Sequence, residues 1–153
     1  MVREKARGSQ TSQREESVAD NSMEELLNLI GELLAEDTEY PLDKTLLHAE
    51  VGRAFVSPSI FKDRGDHILY RDPDLDRLGD ALLDLWDAQQ GPDRWAELEY
   101  MVSNGRFDAT FVYPEEIDPA EEPLDRRRRI VVRYLGDKPI IYPPDEDDDS
   151  FEL

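Results

Sequence analysis

Residues 95–113 read WAELEYMVSNGRFDATFVY, two alternating segments joined by Ser103-Asn104-Gly105-Arg106. Asn-Gly between such segments favours a two-residue type I′ turn, and fixing the turn fixes the register. Val102 then faces Phe107, Tyr100 faces Ala109, Leu98 faces Phe111 and Ala96 faces Tyr113, so one side is wholly apolar. A slip of one residue would destroy that match. The other side carries Trp95, Glu97, Glu99, Met101 and Ser103 against Arg106, Asp108, Thr110 and Val112.

Upstream, residues 45–71 are rich in β-branched and aromatic side chains and are interrupted at Gly52 and at residues 63–66, which predicts strands over 45–51, 54–61 and 67–71. Before them, Ser22-Met23-Glu24-Glu25 fits the S-x-x-E capping box. It predicts a helix running to about Glu36, with Met23, Leu26, Leu27, Ile30, Leu33 and Leu34 as its apolar stripe. After the strands, Asp72 as N-cap and Pro73 in the first turn open a second helix. Leu75, Leu78, Leu82, Leu85 and Trp86 form its buried stripe, and Gly91-Pro92 stops it. Leu124, Val131, Tyr134 and Leu135 suit a last helix from about Pro123 to Leu135, with Gly136 as its C′ residue. A strand over 129–135 is the alternative. The expected fold is therefore α+β: a largely antiparallel sheet of about five strands, covered on one face by helices in the order α-βββ-α-ββ-α. Residues 23–144 are expected to form the single domain, flanked by disordered tails over 1–22 and, in the acidic run that ends the chain, 145–153.

Charge bounds the partners. Eighteen Lys and Arg stand against 37 Asp and Glu, a net −19, and the pI is near 4.3. Because the two tails contribute 0 and −6, the body itself carries −13. Nucleic acid and an anionic membrane surface would be repelled by such a protein. Cysteine is absent, which removes disulfides, thiolate metal sites and cysteine nucleophiles. With no apolar leader or long apolar run, a cytoplasmic location is expected.

His48 and His67 would need carboxylates gathered around both to hold zinc. The Asp72–Asp76 run lacks the glycine and the glutamate of an EF-hand loop. Arg126–Arg129 could be an anion site, but beside the acids of residues 115–125 internal pairing is the better reading. No phosphate-binding glycine loop or nucleophile elbow is present. An enzyme is not expected, nor is a metal or cofactor.

The polar side of the hairpin sets carboxylates among large apolar groups. It reads either as an ordinary sheet face, solvated or under a helix placed elsewhere above, or as a protein-binding patch built on Trp95, Glu97, Glu99, Met101 and Asp108. On the second reading, apolar anchors supply burial and the acids select a basic partner.

Three stretches carry a resemblance to a known family: HAEVGRAFVSPSIFKDRGDHILYRD (48–72), Arg94-Trp95 ahead of LEYMVSNGRFDATFVYP (98–114), and RRRRIVVRYLG (126–136). Together, over about residues 23–140, the chain resembles the YezG-like immunity proteins of bacterial polymorphic toxin systems. The resemblance implies a non-catalytic antitoxin that neutralises a cognate toxin, typically a nuclease, by binding it. The charge agrees independently, because nuclease clefts are basic. An acidic adaptor or scaffold domain without a toxin partner is the alternative.

Overall fold

The computed structural model describes residues 13–89 and 91–143. Along the chain come α1 (Gln13–Leu34), β1 (Thr45–Gly52), β2 (Phe55–Asp63), β3 (Ile68–Arg71), α2 (Arg77–Ala88), β4 (Glu97–Ser103), β5 (Arg106–Val112), a 3-10 turn at Pro114–Glu116, α3 (Pro123–Leu135) and β6 (Ile140–Ile141). The strands form one mixed sheet, ordered β5-β4-β1-β2-β3-β6. All pairings are antiparallel except that of β3 with β6.

The hairpin forms in the expected register, Val102 opposite Phe107, Tyr100 opposite Ala109 and Leu98 opposite Phe111. Asn104 and Gly105 both hold positive φ, 57° and 75°, the type I′ combination. Nothing lies within 4 Å of the position a Cβ would take at Gly105, so a substitution there meets backbone strain alone. Gly105→Val should therefore cost about 1–2 kcal/mol in urea titration, and Gly105→Asn clearly less, since asparagine tolerates the left-handed region. Equal stability of the valine variant and the wild type would contradict the turn assignment.

Alternation along the strands sorts side chains onto two faces, and both are covered. On one face Leu47, Ala49, Val51, Ile60, Leu98, Tyr100 and Phe111 pack against Leu27, Ile30 and Leu34 of α1 and Leu78, Ala81, Leu82 and Leu85 of α2. Close approach is allowed by Gly31, where a Cβ would come within 2.7 Å of the Tyr100 Oη. That hydroxyl donates to the Leu27 carbonyl at 2.7 Å. On the opposite face Leu46, Phe61 and Ile68 pack against Ile130, Val131 and Leu135 of α3.

The molecule thus has three layers, and the expected single covered face is corrected to two. Further corrections follow from signals of short range. The first helix begins at Gln13 rather than Ser22, because residues 13–21 contain no proline or glycine to stop it; Ser22-Glu25 lies within the helix. Part of the expected N-terminal tail is accordingly helical. The second helix begins at Arg77, not at Asp72-Pro73. Asp74 supplies the turn before it, its Oδ1 accepting from the N–H groups of Asp76 and Arg77 at 3.1 and 3.2 Å. The sixth strand, β6, was not anticipated: two isoleucines are too short a pattern to read. It is fixed by distant pairing, Ile68 with Ile140 and Leu69 with Ile141. The last helix runs over Pro123–Leu135 as expected, which removes the strand alternative for 129–135. The proposed tail over 145–153 and residues 1–12 lie outside the described residues. Among the described residues no helix is long and apolar enough to cross a membrane.

Candidate functional site

Helix α3 brings arginine to the carboxylates of the hairpin. Its phase places Ile130, Val131 and Leu135 on the apolar half of the sheet, and the same phase turns Arg126 and Arg133 toward β4. Glu97 is 4% exposed. Its carboxylate accepts from Arg126 Nε at 3.0 and 3.1 Å, from Arg126 Nη2 at 2.9 Å and from His48 Nε2 at 3.1 Å. Burial opposes ionisation of Glu97, but the hydrogen bonds and charges of His48 and Arg126 outweigh it and hold its pKa down at about 2. Glu99, 3% exposed, accepts from Arg133 Nη2 and from the Tyr134 hydroxyl, each at 2.6 Å. Burial, with the bond to Glu99 second, pushes the Tyr134 pKa up to about 12.

A carboxylate held ionised by several N–H donors keeps no proton to exchange near neutral pH. The arrangement works as a clamp that ties α3 to the sheet. Its neighbours extend the clamp: Arg127 donates to Ser59 Oγ at 3.1 Å, and Arg129 grips Glu121 through two bonds of 2.9 Å. Arg128 pairs with Asp137 at 3.1 Å. The arginine run is therefore consumed internally, as its acidic surroundings imply.

The five residues expected to form an open patch are separated by this packing. Glu97 and Glu99 lie beneath α3. Met101 is half-buried beside the Leu46–Phe61 cluster. Trp95 is 1% exposed and sits in the other core, its ring centroid 5.2 Å from that of Phe111. It precedes the first residue of β4, so strand alternation does not set its side. Asp108 alone of the five is exposed. The expectation of an uncovered hairpin face is thus corrected: α3 covers it. The two histidines are apart, His48 buried on Glu97 and His67 on Asp66 at 2.7 Å in the β2–β3 turn. Among the described residues no three His, Asp or Glu side chains are gathered in a manner that would hold a metal.

What the hairpin face lacks, the other helical layer supplies. Asp76, Asp80, Asp84 and Asp87 recur at intervals of four, four and three along α2, the complement of its buried leucines, and all are exposed. Exposed Asp72 and Asp74 precede them, and α1 and the turn after it add exposed Glu24, Glu25, Glu32 and Glu36. Residues 23–36 and 72–87 hold ten acids and one cation, Arg77, which pairs with Glu36 at 2.7 Å. Residues 123–138 hold six cations and two acids. Unpaired acidity is therefore concentrated in the α1–α2 layer, whereas the arginines of α3 are matched by Glu97, Glu99, Glu121 and Asp137. The aspartate spacing in DRLGDALLDLWD is the polar complement of the leucine stripe and is legible in the sequence.

No protein-family model matches the chain. No curated protein matches it either.

Proposed function

We propose that the protein is an immunity-type antitoxin. It neutralises a basic protein toxin, of the nuclease class that the resemblance implies, by stoichiometric binding in the cytoplasm, without catalysis or a cofactor. The observation that carries this reading is the acidic α1–α2 layer. Ten carboxylates with one cation produce a field that attracts a basic surface from a distance and accelerates encounter. The contact face is assigned to this layer, because carboxylates buried under α3 cannot reach a partner.

The test is co-purification with the product of the adjacent gene, followed by association kinetics. Raising salt from about 50 to 500 mM shortens the Debye length from roughly 14 to 4 Å, so the association rate should fall at least about tenfold while dissociation changes little. The triple variant Asp80→Lys, Asp84→Lys, Asp87→Lys should reproduce the loss at low salt while far-UV circular dichroism shows the fold retained. Asp108→Lys, on the hairpin, is the control. An association rate insensitive to both salt and the triple variant would remove the α1–α2 layer from consideration. Failure to bind any basic protein would leave the adaptor reading in its place.

A further inference from the structure

We propose that a groove at one end of the sheet binds small aromatic acids, a planar ring bearing a carboxylate or phosphate head. It lies where the end of β1 meets α2 and the loop leading into β4. Its volume is about 510 Å³, and its walls include Gly52, Arg53, Trp86, Pro92, Arg94 and Trp95. That size falls within the range of small-molecule sites, roughly 300–1,000 Å³.

Two guanidinium groups give the groove a local sign opposite to that of the protein. Arg94 is fixed in place: its guanidinium carbon stands 4.4 Å from the Trp86 ring centroid, and its Nε donates to the Gln89 carbonyl at 3.1 Å. Among the described residues its ion-pair partner is Asp87, 3.8 Å away. One face of the guanidinium is thus stacked, and a ligand ring can stack on the other. Arg53, exposed in the β1–β2 turn, has no ion-pair partner among the described residues. Arg64, Arg106 and Arg127 also have none, but they lie away from the groove. A polyanion would be repelled by the protein as a whole, whereas a small acid with one head group answers mainly to the two arginines.

Both tryptophans of the chain line the groove, so intrinsic fluorescence reports on it directly. The full chain is titrated with 3-phenylpropionate and, separately, with phenyl phosphate. At least one should give a saturable change in tryptophan emission, and the tighter of the two identifies the head group. Arg53→Ala should raise the apparent Kd about tenfold or more, the scale of one lost charge-assisted hydrogen bond. Arg106→Ala, an arginine at the opposite end of the hairpin, should leave it within about twofold, and far-UV circular dichroism should show both variants folded. The uncharged analogue 3-phenylpropanol should not saturate over the same range. Any one of three results overturns the proposal: no saturable signal with either acid, unchanged affinity in Arg53→Ala, or equal binding of the alcohol.

Discussion

Glu97→Ala is expected to destabilise the protein by about 3–5 kcal/mol, read as a shift of the urea midpoint with the slope preserved. The size follows from what is left behind. Removing the carboxylate takes the closest acceptor from Arg126 and His48, 8% and 2% exposed; Arg126 then keeps Glu121, 3.7 Å away, and a buried charge stripped of its main partner costs that much. Replacing the whole clamp is a different experiment. Glu97→Leu combined with His48→Leu and Arg126→Met removes every member and should recover most of the loss, because apolar packing of similar volume substitutes well for a buried ion pair. If Glu97→Ala melts with the wild type, α3 is held by its apolar face alone.

The same carboxylate makes a pH prediction with a definite sign. Its folded pKa, about 2, lies below the unfolded value of 4.5. Its contribution is therefore complete above the unfolded value and disappears as pH falls from about 4.5 toward 2. The shift corresponds to about 3 kcal/mol. Acid also relieves repulsion among the surface carboxylates, so the quantity to follow is the stability difference between wild type and Glu97→Gln. That difference should shrink as pH falls below about 4.5. A difference undiminished near pH 2 would contradict the clamp.

Trp95→Ala should also cost about 3–5 kcal/mol, the usual penalty for emptying the space of a buried aromatic. The ring is 1% exposed and leans on Phe111. Its backbone is tied as well, the carbonyl accepting from Trp86 Nε1 at 2.8 Å and the N–H donating to Gln89 Oε1 at 2.9 Å. A surface anchor would behave otherwise, weakening a complex while leaving the melting curve unchanged. Calorimetry of the free variant separates the two cases. Reversing charge at Glu97 and Glu99 should likewise damage the fold, so neither substitution can serve as a binding-only variant.

Most of the secondary structure was legible because its causes are local. Asn104-Gly105 fixed a turn and a turn fixed a register, while leucines at helical spacing marked the buried sides of α1 and α2, except that Leu75 lies ahead of α2 and is exposed. Pro123 and Gly136 bracketed α3 to the residue. The misses came from signals that also depend on what lies further away. Ser22-x-x-Glu25 caps a helix only if the chain before it is not already helical, and β6 exists because β3 offers an edge.

The sequence by itself determined the α+β class, the hairpin register, the helix phases and the acidity of the surface. Each is written within a few residues, in period, turn chemistry or composition. Only the tertiary structure decided that neither face of the sheet is left to water. A carboxylate at alternate strand positions has the same local pattern whether it faces solvent or a guanidinium. The groups that settle the matter for Glu97 and Glu99 are Arg126 and Arg133, 29 and 34 residues further along the chain. Burial of those acids is favourable only with α3 docked by its apolar face on Leu46, Phe61 and Ile68, and no pattern within β4 records that contact.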